Sequence, residues 1–324
     1  MARPFQIDFP LTSFVQMSMA DMGGFLAAQP VLPRVGVDKL TFEYHKFNVK
    51  GLAPMTSLDF RRERGAGFQR IMTTSSTASD TCIEYGAEVP RDYVTIQNAD
   101  LSLDEADALA AAAQILGGKE EQLVTLFETD ANFGTAATAA SLNGIWSSDS
   151  SNPKADVNTA KRTIRTATNN SPGLYYAVTS EAVLHRVQLH PLVRDQFKYV
   201  TAEFPAEQVL ARYFGLDALF VGVSVEDTAE EGLDASLSAQ WGNHFAVYKV
   251  PPGNAANGMN DCWAKEFNFN FNMPGEGGQM QRANGVSIER YRDDVRSSRI
   301  VRARDFYIHE SVNTAAGYRI KSCI

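Results

Sequence analysis

No part of this sequence restricts the possible folds as strongly as residues 39–96. Leu40, Phe42 and Tyr44 alternate with polar residues, and such alternation places one set of side chains on one face of a strand. Apolar residues continue to Ile96, so we predict two long strands that run out and back. An isolated hairpin is only marginally stable in water. The predicted ribbon therefore needs support from elsewhere.

The turn of this predicted hairpin is rich in arginine. Gly65 and Gly67 lie in the segment DFRRERGAGFQR, and glycine permits the positive φ of a sharp reversal. The basic residues around them are Arg61, Arg62, Arg64 and Arg70. Arginine favours planar, paired contacts with carboxylates at interfaces, so we predict that this tip takes part in contacts between subunits.

An acidic patch follows a predicted buried strand with the sequence LFVGVSV. It contains Glu226, Asp227, Glu230, Glu231 and Asp234. A projecting basic tip and an acidic patch on one chain suit head-to-tail association, which closes rings. The predicted assembly contacts are Arg61, Arg62, Arg64, Arg70, Glu226, Asp227, Glu230 and Glu231. A later row of arginines is expected to serve interfaces in the same way: Arg290, Arg292, Arg296, Arg299, Arg302 and Arg304.

The middle of the chain predicts a long helix followed by a compact domain. Apolar residues recur with the helical period over residues 102–130, and Ser102 with Glu105 fits a capping box. Gly117-Gly118 is a weak joint, because each interior glycine costs about 1 kcal/mol relative to alanine. From Pro153 onward helices and short strands alternate, which indicates a compact α/β or α+β domain.

The two ends of the chain complete the predicted organisation. The first residues are broken by four prolines and bury little, so we expect an arm that lies against a neighbouring subunit. Extended segments return after residue 284. We predict an arm at 1–38, an extended hairpin at 39–100, a peripheral domain from 101–145 with 284–324, and an axial domain at 146–283.

Composition and motifs argue against several classes of function. Among 324 residues, 30 are basic and 38 acidic, for a net charge of −8, which disfavours a protein whose main task is to grip nucleic acid. The three cysteines, Cys82, Cys262 and Cys323, are too widely spaced for a disulfide framework or zinc site. We find no secretory signal and no apolar run long enough to span a membrane, so assembly in the cytoplasm is expected.

No catalytic motif emerges from the sequence. Gly117-Gly118-Lys119 is followed by Glu120 in a helical context, unlike a phosphate loop. His185 and His190 are five residues apart, so they do not share a helix face as a metal-binding pair would. We interpret them as one surface histidine and one histidine at a helix start. The sequence therefore predicts no enzyme activity, no cofactor and no metal site.

This order of elements resembles the tailed-bacteriophage major capsid proteins of the Johnson fold, which are related to encapsulins. The textual likeness is concentrated in residues 146–225, which contain LYYAV and VLHRVQLHPLVRDQFKYV and end with LFVGVSV, and in WGNHFAVYKVPP at 241–252. The resemblance implies an α+β fold with an N-arm, an extended E-loop, a spine helix, a P-domain and an A-domain. Residues 39–100 correspond to the E-loop and residues 102–130 to the spine helix.

The resemblance also implies function and partners. Such chains build icosahedral shells of pentamers and hexamers around double-stranded DNA, in the virion, without sequence-specific binding and without a membrane. A separate scaffolding protein and a portal are expected, and a decoration protein stays open. Lysine lies only at the base of this hairpin, at Lys46 and Lys50, so the covalent crosslinking of some relatives is not carried over. The alternatives are an encapsulin-like shell, another virion structural protein and, last, an enzyme.

Overall fold

The computed structural model describes residues 6–21, 24–46, 64, 76–98, 103–197, 207–229, 233–253, 261–274, 280–283 and 285–324. Its helices are α1 (Phe9–Asp21), α2 (Tyr93–Gln97), α3 (Leu103–Glu128), α4 (Pro153–Ala167), α5 (Glu181–Leu189), α6 (Pro191–Phe197) and α7 (Glu207–Phe214).

The first strands are β1 (Gln6–Ile7), β2 (Arg34–Val37), β3 (Thr41–Lys46), β4 (Ser76–Thr81), β5 (Ile83–Asp92), β6 (Thr135–Thr138), β7 (Leu174–Ser180), β8 (Ala218–Gly222), β9 (Val225–Asp227) and β10 (Leu237–Ala239). The later strands are β11 (Phe245–Val250), β12 (Ala264–Phe269), β13 (Phe271–Pro274), β14 (Met280–Ala283), β15 (Ser287–Asp293), β16 (Ser298–Ser311) and β17 (Gly317–Lys321).

A six-stranded sheet is organised around the long strand β16. Its order is β1-β15-β16-β12-β2, and β5 also pairs with β16. Apolar side chains of β15 and β16, including Ile288 and Val301, pack against Ala108 and Ala112 of α3 and against Val15 of α1. This packing places the first half of α3 on the six-stranded sheet, with α1 beside it.

A five-stranded sheet forms the second layer, in the order β6-β17-β11-β7-β8. Its central strand, β11, buries side chains on both faces, because successive strand residues point in opposite directions. Phe245 and Val247 pack with helices α4 to α7. Ala246 and Tyr248 pack instead with the second half of α3 and the chain before β2. The sheet is therefore sandwiched between a helical layer and α3.

α3 is one continuous helix, as the periodicity predicted. Its residues up to Ile115 pack on the six-stranded sheet, whereas those from Leu116 onward pack toward the five-stranded sheet. Gly117 and Gly118 lie where one cluster gives way to the other. α4 also begins as predicted, because the side chain of Asn152 accepts a hydrogen bond from the Ala155 amide and Pro153 is the first helical residue.

Two glycine-to-alanine substitutions are expected to have opposite effects on stability. A Cβ at Gly117 would meet nothing within 4 Å, so Gly117→Ala should raise the free energy of unfolding by about 1 kcal/mol. A Cβ at Gly222 would lie 2.3 Å from Cγ of the buried Trp241 ring, so Gly222→Ala should lower it by about 1–3 kcal/mol. Urea unfolding of the unassembled chain measures both. Shifts of the same sign would contradict this packing.

The predicted hairpin is confirmed at its base. β3 and β4 pair antiparallel, with Thr41 opposite Thr81 and Lys46 opposite Ser76. The chain then crosses to the six-stranded sheet as β5, which pairs with β16. The strand ends earlier than predicted, because the carboxylate of Asp92 accepts a hydrogen bond from the Val94 amide and starts α2. Tyr93, Val94 and Ile96 are therefore helical.

The described part of the N-terminal segment packs against its own chain, and its expected contact with a neighbouring subunit stays a prediction. Leu26, Val31 and Leu32 are buried beside α3. The Tyr248 hydroxyl donates a hydrogen bond to the Val31 carbonyl at 2.9 Å, and β2 pairs with β12 in parallel. The prolines concealed this burial, because they interrupt any periodic pattern while leaving the apolar residues between them free to pack.

The domain boundaries stay a prediction, although the sheets show how the ends are used. β17, which the sequence grouped with the peripheral strands, pairs with β11 and β6 in the five-stranded sheet. β12, grouped with the axial domain, pairs with β16 and β2 in the six-stranded sheet. The chain therefore crosses between the two sheets more often than the composition indicated.

Candidate assembly surfaces

The β3–β4 ribbon is the described base of the predicted long hairpin. Its two strands form a sheet of their own, and most of its side chains are exposed. Its base and middle are anchored: Phe42 and Cys82 pack with Phe267 and Val312, and the ring centroids of Phe42 and Tyr44 lie 4.5 and 5.3 Å from that of Phe267. The far end of the described ribbon, at Lys46 and Ser76, is exposed.

The predicted basic tip is only partly described. Arg64 is an exposed turn residue. Arg61, Arg62 and Arg70 lie outside the described residues, as do Glu230 and Glu231 of the acidic patch. Their role as assembly contacts therefore stays a prediction.

The described part of the acidic patch forms the hairpin β9–β10, in which Ser238 lies opposite Glu226. The carboxylate of Asp227 accepts hydrogen bonds from the amides of Ala229 at 3.0 Å and Ser236 at 2.8 Å. These bonds lower the pKa of Asp227 and tie the ends of the connecting loop together. Asp227 thus has a local structural role, whether or not it also contacts a neighbour.

The later arginines pair with acids of the same chain. Arg290 binds Asp104 and Asp8, and Arg302 and Arg304 lie on either side of the buried Glu289. The same two arginines also reach Glu88 at 2.6 Å and Glu84 at 3.0 Å, on β5. These pairs join β5, β15 and β16 and give Arg290, Arg302 and Arg304 partners within the chain. The expected interface role of these arginines stays a prediction. Arg299 likewise pairs with Asp104.

A buried charge cluster lies between α3, the six-stranded sheet and the N-terminal segment. The Nζ of Lys119 is 2.5 Å from Oε1 of Glu266 and 3.5 Å from Oδ2 of Asp305. Arg34 and His309 also approach Glu266, at 3.2 and 3.7 Å. Burial opposes ionisation of Glu266, but the charges of Lys119, His309 and Arg34 outweigh it and hold its pKa far below the usual range.

The same cluster lines a cavity of about 350 Å³ that also borders Arg34, Gly36 and Asn268. Burial raises the pKa of Asp305 despite the nearby Lys119. The charged groups are directed at one another rather than toward a common point in the cavity. Their arrangement stabilises the junction of α3 with the sheet.

Glu120, the next residue of α3, joins three further segments. Its carboxylate accepts hydrogen bonds from the Trp241 indole at 2.7 Å, the Ala27 amide at 2.7 Å and the Ser224 hydroxyl at 3.2 Å. Burial raises its pKa, although these bonds act in the opposite direction. In the sequence, Lys119 and Glu120 were weighed only against a phosphate-loop pattern, so their role at this junction was missed. The sequence feature that could have revealed this role is their position between Leu116 and Leu123, within the apolar stripe of the helix.

The two histidines singled out in the sequence differ in their surroundings. His185 is exposed on α5, as predicted. His190 precedes α6, also as predicted, but it is fully buried. Its Nδ1 accepts a hydrogen bond from the Leu192 amide, and its Nε2 lies 3.2 Å from the Ser151 hydroxyl. Burial lowers the pKa of His190, which favours the neutral ring that caps α6.

A third histidine, His244, should make stability depend on pH. Burial, with a smaller contribution from Arg319, lowers its pKa from 6.5 to about 3. At neutral pH the ring is uncharged, so its 3.5 Å contact with Glu128 is not an ion pair. The folded pKa lies below the unfolded one. The contribution of neutral His244 to the free energy of unfolding is therefore complete above about pH 6.5 and is lost as the pH falls.

Between pH 7.5 and pH 5 this one group should lower the free energy of unfolding by about 2 kcal/mol. His244→Gln should remove that part of the pH dependence, as measured by urea unfolding at the two pH values. His185→Gln, at an exposed position, is the control and should leave the dependence unchanged. An unchanged slope in His244→Gln would contradict the assignment.

The described residues offer little for other chemistry. The three cysteines are unpaired and buried, and burial raises the pKa of Cys82 to about 11 and of Cys262 to about 12. Within the same ranges, no group of three or more His, Cys, Asp or Glu side chains could hold a metal ion. No helix there has both the length and the apolar character needed to cross a membrane.

Comparison with known proteins shows which proteins this chain resembles in sequence and in fold. No known family profile matches the sequence. A protein of Pseudomonas phage JBD67 described as a major capsid protein is 22% identical over 262 residues, covering 79% of this chain and 81% of that protein. A phage-related protein from Bordetella bronchiseptica RB50 superposes with a TM-score of 0.71 at 16% identity, covering 99% of this chain and 98% of that one.

The mature capsid of bacteriophage PhiM1 superposes with a TM-score of 0.56 at 12% identity, over 90% of this chain and 86% of that one. The chain therefore has the α+β fold of phage capsid proteins. This is the Johnson fold that the order of elements predicted, and the resemblance to tailed-phage major capsid proteins is confirmed.

Proposed function

We propose that this chain is the subunit that assembles into the icosahedral head of a tailed phage and encloses its double-stranded DNA. The observation that carries the proposal is the β3–β4 ribbon, whose two strands pair only with each other among the described strands and whose far end at Lys46 and Ser76 is exposed. An extended ribbon of this kind is marginal in isolation, and a neighbouring copy of the chain would support it. The likeness to a phage major capsid protein agrees with this reading.

The proposal treats the chain as a structural protein. A charged cavity of about 350 Å³ is lined by Lys119, Glu266 and Asp305, whose charges pair with one another. Its partners would be further copies of itself in hexamers and pentamers, together with a scaffolding protein and a portal. The finished shell would belong to the virion, be assembled in the host cytoplasm, and enclose DNA without reading its sequence, consistent with a net charge of −8.

An encapsulin-like compartment shell is the second candidate, because it shares the fold. The two differ in their contents. A phage head contains double-stranded DNA, whereas a compartment shell contains a cargo enzyme. Purified particles would be treated with nuclease before and after disruption, and the released nucleic acid and protein measured. Protected DNA favours the phage head, and a co-purifying enzyme without DNA favours the compartment.

Charge reversal at the hairpin tip tests the predicted assembly contacts. We propose that Arg61, Arg62, Arg64 and Arg70 meet carboxylates of a neighbouring copy, with Glu226, Asp227, Glu230 and Glu231 as their acidic counterparts. Replacing Arg61, Arg62 and Arg64 by Glu should lower the yield of shells about tenfold, because like charges then face each other. Sedimentation measures the yield, and circular dichroism shows whether the body remains folded. Normal shell yield would remove the tip from the interface.

A further inference from the structure

The β9–β10 hairpin presents an apolar face that nothing in the described chain covers. Ala239 lies opposite Val225 and Leu237 opposite Asp227, so these four side chains share one face. Val225 is 56% exposed and Leu237 69%, and Leu233 in the connecting loop is 70% exposed. A two-stranded ribbon is marginally stable without a surface to pack on. The face therefore has the character of a contact rather than of a solvated surface.

The rim of this face is acidic. Asp234, in the connecting loop, is exposed and has no salt-bridge partner among the described residues, whereas Glu226 points to the opposite face of the ribbon. The carboxylate of Asp227 is held by backbone amides of the loop. The hairpin thus combines an apolar centre with unpaired negative charge at its edge, which is the usual composition of an interface. Its partner should offer apolar surface bordered by positive charge.

The outward face of α4 has that composition. Arg162 and Arg165 are exposed and have no salt-bridge partner within the described part of the chain. The one acid of the helix, Asp156, is buried and accepts hydrogen bonds from the Trp146 indole and the Asn143 amide. The helix therefore turns only positive charge toward solvent, on a chain with a net charge of −8.

Beside Arg162 lies an open depression of about 510 Å³, lined by Thr159, Arg162, Thr163, Thr166 and Ala167. The three threonine hydroxyls already donate to carbonyls one turn earlier, at 2.9 to 3.0 Å. The depression consequently offers methyl groups rather than free hydroxyls. Side chains the size of leucine or valine fit it, with the arginines placed to meet carboxylates beside them.

The two surfaces lie at different positions on the five-stranded sheet. The hairpin continues from β8, the edge strand, whereas α4 packs over β11 and β17. A contact between different surfaces of identical chains is heterologous, and its repetition about an axis closes a ring. A second copy of the chain therefore supplies what each surface lacks.

We infer that the apolar face of the β9–β10 hairpin docks into the depression on α4 of an adjacent copy, with Arg162 and Arg165 meeting Asp234 of the hairpin. The inference rests on the proposed function and names one contact within its rings. It gives α4 a role in assembly that is separate from the proposed role of the basic tip at residues 61–70. The competing occupant of α4 would be a polyanion such as the enclosed DNA.

Cysteine crosslinking tests the contact in assembled particles. The double variant Leu237→Cys/Thr163→Cys would be assembled and treated with a short bismaleimide, which joins two thiols. The native cysteines are at most 2% exposed, so they should not react. We expect a ladder of covalent oligomers on a denaturing gel. Each single variant, and the mismatched pair Leu237→Cys/Glu105→Cys, should remain monomeric on the gel.

Charge reversal provides an independent test of this contact. Arg162→Glu/Arg165→Glu should lower the yield of rings and shells about tenfold, and adding Asp234→Arg should restore at least part of that yield. Arg194→Glu, at an exposed position on α6, is the control and should assemble normally.

The outcomes separate the contact from the function. Wild-type shells without a crosslinked ladder would overturn the hairpin contact alone. Normal shells of Arg162→Glu/Arg165→Glu that retain less DNA would also overturn it and assign α4 to the polyanion. If the wild type formed no ring or shell even with phage lysate added, the proposed function itself would fail.

Discussion

Lys119→Met should lower the free energy of unfolding by about 3–5 kcal/mol, the largest stability effect of any single substitution considered for this chain. The Lys119 side chain is 7% exposed and lies between Glu266 and Asp305. Its Nζ also stands 4.6 Å above the Tyr307 ring. Methionine fills the same volume but leaves two buried carboxylates with one fewer positive charge. Breaking a buried pair in this way leaves a charge without compensation.

The loss should depend on pH in a definite direction. Burial already raises the pKa of Asp305, and loss of the Lys119 charge should raise that pKa further. The deficit of Lys119→Met should therefore be smaller at pH 5 than at pH 7.5. Adding Asp305→Asn, which removes the uncompensated charge, should recover part of the stability at pH 7.5. Urea unfolding of the unassembled chain measures each of these values.

A surface lysine provides the matched control. The Nζ of Lys321 is 2.6 Å from Asp130, and the two side chains are 31% and 51% exposed. Exposed ion pairs contribute at most about 1 kcal/mol, so Lys321→Met should change stability by no more than that. A deficit below about 1 kcal/mol for Lys119→Met as well would show that the buried cluster does not hold α3 to the sheet.

Glu120→Leu is expected to cost about 2–5 kcal/mol, because it leaves three buried donors without an acceptor. The donors belong to Trp241, Ala27 and Ser224, so the N-terminal segment and the chain around β9–β10 both lose their tie to α3. Glu120→Gln keeps the shape and one carbonyl acceptor, so its cost should be smaller. Thermal and urea unfolding report the losses.

The adjacent residue is the control for this substitution. Glu121 lies on the same helix and is exposed, so Glu121→Leu should stay within about 0.5 kcal/mol of the wild type. Equal effects at the two positions would contradict the assignment of Glu120 as a junction. An effect confined to Glu120 would identify α3 as the element to which the N-terminal segment and the central sheet are attached.

The sequence predicted features that depend on local pattern. α3 could be predicted across Gly117-Gly118 because its apolar phase continues through the pair. α4 could be predicted because Asn152 and Pro153 mark its start. The base of the β3–β4 ribbon followed from simple alternation. Each of these depends on residues close together in the chain, and local spacing is what periodicity measures.

The features that were missed depend on distant partners. Lys119 meets Glu266 across 147 positions and Asp305 across 186, and no local pattern reports such contacts. The arginines of β15 and β16 were expected at interfaces because they are charged and closely spaced. Their partners Glu84, Glu88 and Asp104 become visible only when the strands pair. For β17, alternation predicted a strand but could not indicate whether it joins the six-stranded or the five-stranded sheet.

Assembly of the purified chain tests the central claim most directly. The chain would be expressed alone and with phage lysate, and the soluble material examined by sedimentation and negative-stain electron microscopy. We predict rings of five or six copies, tubes or closed icosahedral shells. Material that stays strictly monomeric under both conditions would contradict the account of this chain as a shell subunit.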